Sequence, residues 1–360
     1  MVEENGLWSE QRANAWWQEQ RWFAGCNFTP SSAINQLEMW QAESFDPETI
    51  ARELGFASEL GLSIVRVYLH DLLWEADAEG FRERMDRFLA MASNVGIQTM
   101  FVLFDDVWCV DPKLGPQPAP YPGRHNSGWV QAPGLAALRA YESDSLLRER
   151  LERYTKGVLE AFADDPRVAV WDLYNEPGGF PSPRDQPVAE ACLPLLADVF
   201  AWARAVDPSQ PLTCGIWEVP NHPLPEAIAE LQWVNSDVVS FHHYGSPSDL
   251  EAFCDRLRAK TSRPLICTEY LARPMESRFE THLPIFRERD IGAIHWGLVS
   301  GKTQTVYPWW SWFDEEPKPE PEIWFHDVLR ADGTPFDSGE ADFLKGFLGP
   351  AGARGHQEPE

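Results

Sequence analysis

Along the chain, short apolar runs alternate with longer amphipathic stretches. The clearest run is Val168–Pro177, reading Val-Ala-Val-Trp-Asp-Leu-Tyr-Asn-Glu-Pro. It is too brief for a helix and rich in β-branched and aromatic residues, which predicts a buried strand. Pro177 has no N–H for a sheet ladder and Gly178-Gly179 follow, so the strand stops there. Further strands are predicted at Phe23–Phe28, Leu62–Leu69, Ile97–Phe104 and Pro211–Trp217. Val238–Tyr244, Pro264–Tyr270 and Ala293–Val299 complete the set.

Helical periodicity fills the intervals. Asp46 is a good N-cap and Pro47 suits a first turn, so a helix runs from there to Leu60-Gly61. Others are predicted at Glu79–Asn94, Ser143–Phe162, Val188–Val206, Leu224–Gln232, Ser248–Lys260 and Phe279–Arg289. Leu7–Trp22 reads as helical or irregular, with Trp16, Trp17 and Trp22 covering something apolar. Pro321–Leu329 is expected to begin the last long helix, Ala341–Phe347 a short one, and the tail from Gly349 is expected to be disordered. Strands and helices alternating every 30 residues or so predict one α/β domain over residues 1–348. Its expected form is a (β/α)8 TIM barrel with long βα loops on the catalytic face. A doubly wound sheet would carry a Gly-rich phosphate turn after an early strand, and none is present.

Composition narrows the partners. Of the 360 residues 44% are hydrophobic, enough for a large core, and the formal charge is −26. Nucleic acid and anionic membranes call for a basic face, so neither is expected as a partner. No apolar run approaches the roughly 20 residues that span a bilayer. The start, Met-Val-Glu-Glu-Asn-Gly, lacks the basic and apolar regions of a secretory signal, so cytoplasmic residence is expected. The six cysteines show no Cys-x-x-Cys pairing. Neither a zinc site nor a redox pair is expected, and no cofactor.

In such a barrel the C-terminal ends of the strands hold the active site. Those ends carry Asn27, Arg66, His70, Asp105 and Asp106 in the first half of the chain. In the second half they carry Asn175, Glu176, Trp217, Glu218, His242, Tyr244, Glu269 and Trp296. Glu176 ends the fourth strand and Glu269 the seventh, which face each other across the mouth. A retaining glycosidase needs such a pair about 5–5.5 Å apart, one protonated and one ionised. Arg66 shares a strand face with Ile64, Tyr68 and His70 under period-two alternation. A guanidinium inside the barrel must find an anion, either Glu269 or, in a purely structural pair, Asp172. Tyr244 is placed to donate a hydrogen bond to Glu269.

The segment Trp171–Pro177, with Arg66, His242-x-Tyr244, Glu269 and Trp296 on their respective strands, resembles clan A of the glycoside hydrolases. The pattern is closest to family 5, the cellulase and mannanase type, and spans about Phe23 to Leu329. The resemblance implies a (β/α)8 barrel acting on β-linked carbohydrate, with Glu176 as acid/base and Glu269 as nucleophile. It also implies Asn175 as a donor to the sugar 2-hydroxyl, with Arg66 and Tyr244 around the nucleophile. It places His242 near the acid/base and Trp296 under the sugar at the cleavage point. Where that family often carries histidine at the end of strand three, this chain has Asp105-Asp106.

Seventeen tryptophans add a carbohydrate-like signature. Trp40, Trp74, Trp108, Trp129, Trp309, Trp310 and Trp312 are expected on the catalytic rim, some stacking on pyranose rings and others fastening loops. The proline-punctuated loop from Val107 to Pro133 is expected to form one wall of a cleft and Thr303–Glu320 the opposite wall. Such walls suggest a pocket for short oligosaccharides. Three other readings compete with hydrolysis by the carboxylate pair. A barrel that binds sugar without cutting it would normally show one of the two glutamates replaced, and here both are present. A metal-dependent barrel would draw ligands from His70, Asp71, Asp105, Asp106, His242 and His243. Adjacent His242 and His243 point to opposite strand faces, however, so only one reaches a common site. A transglycosylase would use the same two glutamates.

Overall fold

The computed structural model describes residues 6–179, 189–218 and 225–349. The expected helix starts at Val188 and Leu224 and the tail from residue 350 lie outside the described residues. The strands are β1 (Ala24–Asn27), β2 (Ile64–Tyr68), β3 (Gln98–Asp105) and β4 (Val168–Asn175). They continue with β5 (Leu212–Thr213), β6 (Val239–His242), β7 (Leu265–Glu269) and β8 (Ile291–His295). All pairings are parallel, in the order β5-β4-β3-β2-β1-β8-β7-β6. A parallel bridge between Ile216 and Phe241 joins the two outer strands, closing the sheet into a barrel.

The helices are α1 (Glu10–Glu19), α2 (Gln36–Trp40), α3 (Pro47–Glu59), α4 (Asp71–Asn94), α5 (Leu135–Ala140) and α6 (Ser145–Phe162). After them come α7 (Leu193–Val206), α8 (Glu226–Asn235), α9 (Pro247–Arg258), α10 (Phe279–Glu288) and α11 (Ser338–Leu348). Caps start them, Asp46 at the expected place, Asp144 and Ser246 a residue or two away from the expected starts at Ser143 and Ser248. Asp46 Oδ1 accepts the Thr49 N–H at 3.1 Å ahead of Pro47, and Asp144 and Ser246 do the same for α6 and α9. No helix among the described residues is long and apolar enough to cross a membrane.

Apolar side chains form two layers. The larger lies between strands and helices, with Val65, Val67, Phe101, Leu103, Trp171 and Leu173 facing outward. The smaller fills the barrel floor, where Ile64, Met100, Val170, Ile266 and Ile294 meet Trp17 of α1. The N-terminal helix thus plugs the end opposite the strand tips, and its buried Trp17 accounts for the aromatic cluster there.

Four local expectations are corrected. Residues Pro321–Leu329 form no helix. Their amides bond outward to other loops, Phe325 N–H to Val306 O and Val328 N–H to Leu298 O, because Trp324 and Phe325 are buried against those loops. The helix before β3 begins at Asp71, not Glu79. Asp77, at φ −160°, interrupts it and caps the second part through Gly80 N–H. Strand β8 ends at His295 rather than Val299, since Gly297 at φ +79° turns the chain. Finally, the loops after β3 and β8 do not face each other. Asn126 N–H bonds Thr303 O, His125 N–H bonds Ser311 Oγ, and Trp108 stacks on Trp312 at 6.0 Å, so the two make one continuous wall.

Candidate active site

The strand tips place one cation at the centre. Arg66 of β2 is fully buried, with 0% of its surface exposed, and every donor on its fork is used. Nε and Nη2 donate to Asp172 Oδ2 at 2.9 and 2.7 Å. Nη1 donates to Glu269 Oε1 at 2.9 Å and to Asn27 Oδ1 at 2.8 Å, and Nη2 also reaches Asn175 Oδ1 at 2.7 Å. The two anions weighed for Arg66 are both present. A buried charge with this many acceptors is well compensated, and it orients everything it touches.

Glu269 also accepts the Tyr244 hydroxyl on Oε2 at 2.7 Å and the Tyr68 hydroxyl on Oε1 at 3.1 Å. Three donors on one carboxylate favour its ionised form. Burial pushes its pKa up all the same, opposed by His242, Arg66 and the Tyr244 hydroxyl, while the neighbouring Glu176 adds to the rise. Glu176 has no such set. Its side chain is 18% exposed against 6% for Glu269, and among the described residues the side chain that hydrogen-bonds it is His242, with Nδ1 2.8 Å from Oε1. Burial holds the Glu176 carboxyl up at about 7, opposed by the Arg66 charge. Two similar acids are thus surrounded differently, and Glu176 is the one poised to carry a proton at neutral pH.

His242 stands between them. Burial lowers its pKa to about 4, so the ring is neutral. Nε2 lies 3.5 Å from Glu269 Oε1. When Glu176 is protonated and donates to Nδ1, the ring hydrogen sits on Nε2 and faces the Glu269 carboxylate. One ligand atom from each of Glu176, His242 and Glu269 lies within 4.8 Å of the others. The two carboxylates therefore share one small space, as the strand positions predicted. Of the other suggested metal ligands, His70, Asp71, Asp105 and Asp106 lie outside this group, and His243 packs its ring on Phe253.

Above the pair opens a cleft of about 420 Å³. Trp108, Trp129, Trp217, Trp296 and Trp309 line it together with Asn175. Trp296 meets Tyr68 and Trp129 edge-on at 5.8 and 5.9 Å, which holds its indole in the cleft wall. Asn175 gives one amide N–H to Asp105 Oδ1 at 2.9 Å, and its amide has a second N–H. Asp105 itself does not reach the cleft. It accepts Trp129 Nε1 at 2.6 Å and supports the wall from behind.

His70 is likewise outside the cleft, contrary to the expectation from alternation. Its Nε2 lies 3.0 Å from Gln131 O and its Nδ1 accepts Leu72 N–H, so the ring caps α4. Trp40 is buried in the outer core, stacked on Phe45, and Trp74 packs over Gly157 of α6. Both pack between helices and the core, away from the cleft. Tyr68, His125 and His326 belong to the site region and were not singled out as such by the sequence. Only Tyr68 left a signal, since alternation sets it on the Arg66 face. The other two arrive on loops, whose path the residue pattern does not encode.

No family model and no curated protein matches the sequence. Solved structures do match. An endo-1,4-β-D-mannanase from Thermotoga petrophila is 13% identical with a TM-score of 0.55, covering 91% of this chain and 99% of that one. A GH5_18 protein from Streptomyces cattleya in complex with Manβ1-4GlcNAc is 15% identical with a TM-score of 0.60, covering 94% and 82%. An exo-β-1,4-mannosidase from an Opitutaceae bacterium is 17% identical with a TM-score of 0.59, covering 98% and 63%. The chain is a (β/α)8 barrel. At these identities the likeness speaks for the fold, and the chemistry must be argued from the side chains.

Proposed function

We propose that the chain is a retaining glycoside hydrolase acting on a β-linked, uncharged saccharide. The observation that carries this is the pair Glu176 and Glu269, with carboxylate oxygens within 4.8 Å of each other in unlike surroundings. That spacing suits direct attack on an anomeric carbon, and an inverting enzyme would need room for a water between them. In the first step a Glu269 oxygen bonds to the anomeric carbon as the glycosidic C–O bond breaks. The Glu176 proton passes to the departing oxygen. In the second step Glu176, now a carboxylate, takes a proton from water whose oxygen attacks the same carbon and releases Glu269. A sugar hydroxyl replacing that water would give transglycosylation.

The lining supports a neutral substrate. Among the described residues the cleft has no lysine or arginine to pair with a uronate, whereas it has several indole faces. Its volume of about 420 Å³ suits a short saccharide. Because structural neighbours include a mannanase and a mannosidase, β-mannosides are the first compounds to try, with β-glucosides beside them.

The test is proton NMR of the first-formed product from an aryl β-mannoside or β-glucoside. The β-anomer should appear first, and initial release of the α-anomer would contradict the reading. A second outcome concerns pH. Protonated Glu176 is the active form for the first step, so kcat/KM should fall as pH rises through about 7. Ionised Glu269 is also required, so activity should be lost on the acid side as well. Replacing Glu176 with glutamine should erase the alkaline limb in a profile measured with an activated aryl glycoside.

A further inference from the structure

The acid pair Asp105-Asp106 ends β3, and its two members do different things. Asp105 braces the cleft wall. Asp106 is buried, 3% exposed, under the turn that carries Glu176. Its Oδ1 accepts the Tyr174 hydroxyl at 2.7 Å and its Oδ2 accepts the Gly178 N–H at 2.7 Å. Those partners stand two residues before and two residues after Glu176. Asp106 also gives its N–H to Asn175 O at 3.3 Å. A Cβ at Gly179 would lie 2.8 Å from Asp106 O and 2.9 Å from Glu176 O, so the turn is pressed directly onto this residue.

The clasp matters because Glu176 is held in an unfavourable conformation. Its φ is +44°, a left-handed value that non-glycine residues rarely adopt, and a proline follows it. A residue before proline prefers the extended region, so the free peptide would leave this conformation. Such strain persists only where surrounding structure over-determines it. Relaxation toward extended backbone would swing the Glu176 carboxyl off His242 and away from the space shared with Glu269.

We propose that Asp106 is a positioning residue for the general acid, clasping the peptide on both sides of Glu176 so that its proton reaches the leaving-group oxygen. This rests on the reading of Glu176 as acid/base. A carboxylate suits the task, being able to accept from both partners at once. Asparagine would keep the Gly178 contact and turn an N–H toward Tyr174, whose hydroxyl can reverse and accept it. Alanine would leave both donors without their acceptor.

A series of aryl β-glycosides of one sugar, from 2,4-dinitrophenyl to unsubstituted phenyl, separates positioning from general damage. Dinitrophenolate leaves without help, whereas phenolate needs the proton. In Asp106→Ala, kcat/KM on the phenyl glycoside should fall about 10- to 100-fold further than on the dinitrophenyl one. Asp106→Asn should recover most of that difference. An equal fall across the series, or no fall, would overturn the assignment. If the alanine variant does not fold, Tyr174→Phe removes one arm of the clasp and leaves the ring in place. A steeper leaving-group dependence in that variant supports the proposal, and an unchanged one refutes it. Failure of the wild type to cleave any glycoside would instead remove the hydrolase reading, and this inference with it.

Discussion

Glu269→Gln is expected to lower kcat by about 10⁴-fold or more while the protein stays folded and binds sugar. The substitution keeps the shape of the side chain. Its amide oxygen can accept from Arg66 Nη1, which now lies 2.9 Å from Oε1, and its N–H₂ can donate to a reversed Tyr244 hydroxyl. Arg66 retains Asp172 as counter-ion, so the buried guanidinium is not stranded. Only the proposed nucleophile is lost. Thermal unfolding and calorimetric titration with a mannose- or glucose-based oligosaccharide check the first half of the claim, and steady-state rates the second. A variant within about tenfold of wild type would exclude Glu269 as nucleophile.

Glu176→Ala should lower kcat on an activated aryl β-glycoside by about 10²- to 10⁴-fold. Azide should then restore much of it. Without the carboxyl the good leaving group still departs, but no base remains to activate water, and the intermediate accumulates. Azide needs no base and fits the space the carboxyl vacates. The product should be the β-glycosyl azide, because a second displacement restores the starting configuration. Near-full activity on a natural substrate, or the absence of a glycosyl azide, would show that the acid lies elsewhere.

The two variants probe different halves of one electrostatic arrangement. Glu269 has Arg66, Tyr68 and Tyr244 as donors, whereas Glu176 has a neutral imidazole and partial exposure to the cleft. The difference arises from which strand each acid ends. The tip of β7 stands over the buried Arg66 of β2, while Glu176 lies beyond the end of β4, on a turn. The central cation hydrogen-bonds one acid directly and acts on its neighbour only through space.

The residue pattern was sufficient for much of this. Apolar runs with turn residues after them located the strands, because a strand buried on both faces has to be apolar and has to end where backbone donors run out. Arg66 could be assigned an anionic partner without coordinates, since a charge inside a barrel cannot stand alone. The loops were less legible. Trp40 and Trp74 were expected on the catalytic rim but pack as core, because an indole serves either purpose and only its neighbours decide.

What tertiary structure alone decided is the aim of the acids. Strict alternation would turn Glu269 outward with Leu265 and Cys267, which pack on the helices. The β6–β7 register instead steps from Phe241↔Cys267 to His242↔Glu269, so Thr268 is an extra residue on β7 and the carboxylate points inward. On β3 and β4, Phe104 and Tyr174 join Leu103 and Leu173 in the outer core, which brings Asp105 and Asn175 inward together. Sequence determined which residues stand at the barrel mouth, through hydrophobicity and backbone chemistry that act locally. Which way they face depends on slips in strand pairing and on a left-handed turn at Glu176, and those are settled by contacts between segments distant in the chain.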